Sequence, residues 1–176
     1  MNVLALDLSL NSTGYAWWDR GGHQGIGTLD PKGRRGPERL IWVREQVMHL
    51  ADKKMYADLV AIEGYAFART NQAHQVGELG GVVRCALWDA GIEFVEVAPS
   101  SVKKYATGKG NANKNAMLVA AGRRLGYEGD SNDEADAAWL CALVLDALGC
   151  PVVDVPASHR AAVAAVKDAL GVPDAA

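Results

Sequence analysis

Short apolar runs separated by turn residues begin at the first residues of the chain. Residues 3–8 (VLALDL) are apolar except for Asp7, and the β-prone segments 13–18 and 24–29 are parted by Gly21-Gly22. This pattern predicts a strand followed by two antiparallel partners. After Pro37, the residues Leu40, Val43, Val47, Leu50 and Ala51 recur at helical spacing, so a helix over about 37–53 follows, with proline suiting its first turn. Residues 58–63 (DLVAIE) repeat the opening pattern, an apolar run that meets an acid at its end. Reached through a helical crossover, this strand is expected to lie parallel to the first. Val76, Leu79, Val83 and Leu87 mark a second helix over 73–90, with Gly77, Gly80 and Gly81 inside it. A strand at 93–98 comes next, and a loop rich in Lys, Gly and Asn leads to helices near 113–125 and 132–148.

The order β-β-β-α-β-α-β-α-α predicts an α/β fold with a five-stranded mixed sheet flanked by helices. From Cys150 onward, Pro151, Pro156 and Pro173 surround a short amphipathic segment, 161–170. It reads as an appendage that packs weakly or frays. The expected organisation is one domain over 1–149 and a C-terminal extension over 150–176.

Composition narrows the class. A chain of 176 residues supports one core of ordinary size. No window approaches the roughly 18 uninterrupted apolar residues of a membrane span, and residues 1–20 lack the layout of a secretory signal. A soluble, cytoplasmic protein without a membrane partner is expected. Cys85, Cys141 and Cys150 are too few and too widely spaced for a disulfide framework or a zinc site, and read as reduced core residues. The net charge of −3 speaks against a general nucleic-acid coat protein. Its distribution matters more: Lys32, Arg34, Arg35 and Arg39 crowd one stretch, and Lys103, Lys104, Lys109 and Lys114 lie in another that holds no acid.

The acids carry the chemistry. Asp7 and Glu63 each end a strand expected to be parallel, so both emerge at the C-terminal end of the sheet, where open α/β sheets place their sites. In the segment 131–136 (SNDEAD), Ser131 and Glu134 form a candidate capping box for the last helix. Asp133 and Asp136 share a face that continues into Ala137, Leu140 and Val144, the side that should pack on the sheet. Four carboxylates gathered there repel one another unless cations lie between them. A donor set of oxygens without His or Cys favours Mg²⁺ or Mn²⁺ over zinc. Two such ions about 4 Å apart serve phosphoryl-transfer chemistry.

The residues also resemble a known family. LALDLSLNSTGYAWW resembles the first strand and hairpin of RuvC-type crossover junction endodeoxyribonucleases, and VAIEGYAFARTN resembles their second acidic strand. APSSVKKYATGKGNANKNAM resembles their Pro-x-x-Val-Lys segment with its later Lys, and NDEADAAWLC their closing Asp-x-x-Asp helix. The matches fall in family order across residues 1–149. The short hairpin and the Ala-Phe-Ala-Arg run ending at Arg69 look most like phage-encoded members, which would act in the host cytoplasm.

The resemblance implies an RNase H-like fold, a homodimer, and Mg²⁺-dependent paired nicking of four-way (Holliday) DNA junctions, with Mn²⁺ substituting. By motif position it makes Asp7, Glu63, Asp133 and Asp136 the ligands of two metal ions and brings Lys114 to the scissile phosphate. Lys103 or Lys104 becomes a further DNA contact, and the sequence does not choose between them. Phe67 or Tyr65 takes the place of an aromatic near the junction centre, with Arg69 as another DNA contact. Lys109, Arg34 and Arg35 add phosphate neutralisation, which reads backbone and shape rather than bases. The glycine-containing helix over 73–90 is assigned to the dimer interface. His23, His49 and His159 read as surface or packing residues, whereas His74 follows the Glu63 loop and is placed to approach DNA.

Three rivals remain at this stage. Asp7 with Ser9, Ser12, Thr13 and Gly14 also resembles the phosphate-binding hairpin of the actin and sugar-kinase ATPases, which need a second such domain. A nuclease-like fold that only binds branched DNA has no reason to keep four clustered acids. An enzyme preferring flaps or forks is not separated from a strict resolvase by these motifs.

Overall fold

The computed structural model describes residues 1–54, 56–64 and 73–172. Its strands are β1 (Val3–Asp7), β2 (Thr13–Trp18), β3 (Gln24–Leu29), β4 (Leu59–Glu63) and β5 (Phe94–Val97). They form one sheet in the order β3-β2-β1-β4-β5. The pairs β1–β2 and β2–β3 are antiparallel, and β1–β4 and β4–β5 are parallel, so the expected mixed sheet is present. The helices are α1 (Gly36–Met48), which runs on into a wide π-helical turn at His49–Lys54, α2 (Ala73–Asp89), α3 (Pro99–Thr107), α4 (Lys114–Leu125), α5 (Asn132–Ala147) and α6 (Ala157–Leu170). Among the described residues, no helix is long and apolar enough to cross a membrane.

Strand side chains alternate between faces, and each face of this sheet buries its own apolar layer. Leu4, Leu6, Val60 and Ile62 pack against Val43 and Val47 of α1 and Leu79, Val83 and Leu87 of α2. Val3, Ala5, Leu59 and Ala61 belong to the opposite layer, which α3 to α6 cover. At the sheet edge, a Cβ on Gly25 or Gly27 of β3 would come within 2.5 Å of Trp17 Nε1 or Tyr15 Oη. The two rings therefore lie over the bare backbone of that edge strand.

The central element is α5. Every residue from Ala135 to Ala147 is buried, as expected of a helix packed on all sides. One side lies on β1 and β2, and α4 and α6 pack on others. Its first turn reaches the sheet through a gap at Gly14, which stands opposite Asp7 in the β1–β2 register. A Cβ at that position would collide with the backbone carbonyl of Asp133.

Three expectations are corrected. Part of the segment expected as a Lys-rich loop is α3, which carries proline in its first turn and a left-handed Gly108 cap at φ 81°. Those are helix start and stop signals, and Lys is a good helix former. The described part of the tail is packed: α6 buries His159, Ala162, Val163 and Val166 and packs on α3, α5 and β5. Its alanines allow close approach where larger side chains would hold the helices apart. Of the three cysteines expected in the core, Cys141 is buried but Cys85 and Cys150 are exposed.

Backbone cannot yield as a flexible side chain can, so Gly14→Ala is expected to cost about 3 kcal/mol of stability. Urea unfolding of the two proteins measures this; a variant within about 0.5 kcal/mol of wild type would show that α5 does not need this seat.

Candidate metal centre

β1 and β4 run parallel with Leu6 beside Ile62, so the next residues, Asp7 and Glu63, leave the sheet side by side at its C-terminal end. The hairpin after Asp7 is closed by Thr13, which is fully buried. Its hydroxyl donates to Ser9 O at 3.0 Å and accepts from Ser9 N at 3.3 Å.

From the other side comes α5. Ser131 caps it, accepting from Glu134 N at 3.3 Å, as half of the expected capping box. The other half is absent, because the Glu134 carboxylate accepts instead from Thr28 Oγ1 and Tyr127 Oη, each at 2.6 Å. Thr28 pairs with Gly14, and Gly14 with Asp7, so one row across three strands seats the first turn of α5. Thr28 holds Glu134, Gly14 admits the Asp133 backbone, and Asp7 meets Asp136.

Carboxylate oxygens of Asp7, Glu63 and Asp136 all lie within 4.8 Å of one another. Asp136 is only 8% exposed, and its Oδ1 has no hydrogen-bond partner among the described residues. A buried oxygen left this way is costly. A hard cation would satisfy it, and an all-oxygen cluster suits Mg²⁺ or Mn²⁺ chemistry. Asp133 stands at the rim, one turn earlier on α5, with Lys114 Nζ 3.8 Å from its Oδ1. Its charge still acts on both Asp7 and Asp136.

Proton affinities record the crowding. Burial, then the Asp136 charge, raises Asp7 to about 7, against a hydrogen bond with Glu63 that lowers it. Burial, then the charges of Asp7 and Asp136, raises Glu63 to about 9. Burial raises Asp136 to about 6, with Lys114 and Lys103 opposing. Those two lysines arrive from different elements: Lys103 lies in α3, and Lys114 opens α4 behind the Asn113 cap. Lys103 acts on Glu63 and Asp136, whereas Lys104 is exposed.

The remaining candidates are more dispersed. Lys109 and Arg35 are exposed. Leu29, the end of β3, pairs with Thr13, so the loop carrying Arg34 and Arg35 leaves the sheet at the same end as Asp7. Arg34 is engaged locally, 5.1 Å from the Trp42 ring centre, 3.0 Å from Pro31 O and 3.7 Å from Glu38. His74 is exposed near the start of α2. Tyr65, Phe67 and Arg69 lie outside the described residues.

Comparison with known proteins bears on the family and the fold. The family model described as crossover junction endodeoxyribonuclease RuvC matches residues 3–143. A protein of that name from Synechococcus sp. is 30% identical over 145 residues, covering 78% of this chain and 93% of its own length. The solved structure of Thermus thermophilus RuvC superposes with a TM-score of 0.66 at 21% identity, covering 88% of this chain and 100% of its own. The same protein solved in complex with a Holliday junction substrate gives 0.64 at 20% identity, covering 88% and 99%. The fold is therefore RNase H-like, as expected. These relatives are bacterial, so the expected likeness to phage-encoded members is not borne out.

The acids hold protons more tightly in the folded chain than in the unfolded one. The stability they contribute is fully present below about pH 4, where the unfolded chain also holds these protons, and is lost as pH rises from there through the folded values of about 6 to about 9. Without divalent cations, the wild-type melting temperature is therefore expected to fall across that window more than that of Asp7→Asn, and Mg²⁺ or Mn²⁺ should restore it. Parallel pH profiles for the two proteins would show that the cluster bears no such strain.

Proposed function

The chain belongs to the RuvC family of crossover junction endodeoxyribonucleases, and from that premise we propose that it resolves four-way DNA junctions by metal-dependent, paired, symmetric nicking. The observation that carries the reading is the cluster of Asp7, Glu63 and Asp136, with a buried Asp136 oxygen that lacks a partner among the described residues. Asp7, Glu63, Asp133 and Asp136 are the proposed ligands of two divalent cations, Mg²⁺ with Mn²⁺ as substitute. Such ions supply Lewis-acid stabilisation of charge on the phosphate and a nucleophile at neutral pH.

The protein's own residues do the rest. β1 and β4 fix two carboxylates rigidly, and the seat at Gly14 fixes those of α5, so the acids need no rearrangement to accept cations. Lys114, against Asp133 at the rim, is placed to meet the scissile phosphate. Lys103 offsets the acids' charge beside Glu63 and Asp136. Lys104, Lys109, Arg34 and Arg35 neutralise neighbouring phosphates, and Phe67 or Tyr65, with Arg69, meets the junction centre. Support for DNA as substrate comes from the Thermus relative, solved with a Holliday junction.

A junction is two-fold symmetric, so paired nicking calls for a homodimer. The surface we assign to it is the outer face of α2. A Cβ on Gly77 or Gly81 would meet nothing within 4 Å among the described residues, so packing against those residues does not require glycine there. We assign the nuclease unit to residues 1–149 and a packed C-terminal extension to 150–176, acting in the cytoplasm.

The test is cleavage of a labelled synthetic four-way junction with Mg²⁺, alongside a linear duplex, a flap and a fork. Symmetric nicks on the junction are expected, abolished by EDTA and slowed on the order of 10²–10³-fold or more in Asp7→Asn, Glu63→Gln and Asp136→Asn. Binding without cleavage in Mg²⁺ and Mn²⁺ would sink the nuclease reading. Cuts confined to flaps or forks would move the substrate assignment there.

A further inference from the structure

α6 takes no direct part in the centre described above, yet it is tied to the helix that carries Lys103. Its buried face is a stripe of His159, Ala162, Val163 and Val166, and α3 is one of its main partners. His159 Nδ1 lies 2.9 Å from the backbone oxygen of Tyr105, in the last turn of α3. A carbonyl can only accept, so Nδ1 carries the proton and donates.

That carbonyl is one of the acceptors every helix leaves open at its C-terminus. The amide that would continue the helix toward it, Lys109 N, goes instead to Thr107 Oγ1 at 3.2 Å. Gly108, in the left-handed conformation at φ 81°, sends its amide to Lys104 O at 2.8 Å. A side chain there would be strained, and its Cβ would stand 2.8 Å from His159 Nε2. The imidazole thus closes the end of α3 from a distant helix, flat against the corner at Gly108.

A second tie lies beside it. The Tyr105 phenol donates to Asp146 Oδ2 at 2.9 Å, and Arg160 Nε stands 3.8 Å from the same oxygen. Tyr105 also meets the Trp139 ring edge-on, with centroids 6.0 Å apart, and Trp139 Nε1 donates to Met117 O of α4 at 3.3 Å. One end of α3, the middle and last turn of α5 and the first turn of α4 are fastened together around Tyr105. The corner so fixed, residues 108–113, separates Lys103 from Lys114, the two cations whose charge reaches the acids.

We propose that His159 is a positioning residue: by completing the C-terminus of α3 it sets the α3–α4 corner, and so holds Lys103 and Lys114 at the acidic centre. The placement of Lys103 and Lys114 rests on the nuclease reading; the fastening itself does not. It gives α6 a task in the reaction although α6 contributes none of the clustered acids. Asparagine can present an amide N–H near the place of Nδ1, so His159→Asn should retain the fastening that His159→Ala loses.

Two measurements on the full-length protein test this, both well below the variants' melting temperatures. Native-state hydrogen exchange should show amides of residues 103–114 exchanging about 10-fold faster or more in His159→Ala, with α5 unchanged and protection restored in His159→Asn. In single-turnover junction cleavage, His159→Ala should be slowed roughly 10- to 100-fold with little change in junction affinity. Combined with Lys103→Ala, it should slow cleavage by less than the product of the two single losses, because part of what His159 holds in place is then already gone. Unchanged exchange in His159→Ala, or rate losses that multiply in the double variant, would overturn the proposal. Should the wild type cut no junction at all, the nuclease reading falls while the exchange experiment still decides the fastening.

Discussion

Like charges brought together in a confined space are the constraint on which this molecule turns. Asp7, Glu63 and Asp136 are held within 4.8 Å by elements that have no freedom to separate them. In the cation-free chain, burial first and neighbouring negative charge second favour protons on these carboxyls, which are raised to about 7, about 9 and about 6. Divalent cations would relieve the repulsion by replacing those protons. Much of the surrounding architecture resists the outward push, including the parallel β1–β4 pair, the Glu134 clamp between Thr28 and Tyr127, and the bare backbone at Gly14. Lys103 and Lys114 oppose it electrostatically.

The support is asymmetric. On the sheet side the acids stand on strands whose register fixes them to within a residue, since a slip by one would turn each side chain to the other face. On the helical side, a single turn of α5 is placed by contacts made with three strands at once. The lysines depend on longer chains of contact, through α3, Tyr105 and the C-terminal helix. The carboxylates thus stand on the strands and the most buried helix, and the cations on helices fastened at one remove from them.

Most of the sheet and the gathering of Asp7, Glu63 and Asp136 were legible from the chain, because strand alternation and an acid ending each apolar run are local signals. The helix pair Asp133 and Asp136 followed from spacing alone. α3 was missed because its Lys-rich composition suggested a solvated loop, although Pro99 and Gly108 punctuate a helix. The C-terminal helix was underrated because its buried face is mostly alanine and valine, a weak apolar signal with His159 in it. Glu134 fits a capping-box pattern, and only the tertiary position of Thr28 and Tyr127 diverts it. Such diversions, like the gap at Gly14, depend on residues far apart in sequence meeting in space.

That distance has a bearing on synthesis. β1 and its hairpin leave the ribosome more than a hundred residues before α5, because chains emerge N-terminus first. Asp7 and Glu63 can sit in a paired sheet long before Asp136 exists to join them. A nascent polypeptide therefore holds no assembled cluster until α5 emerges, and a chain that ends before α5 lacks Asp136, the member that joins Asp7 and Glu63 from the helical side.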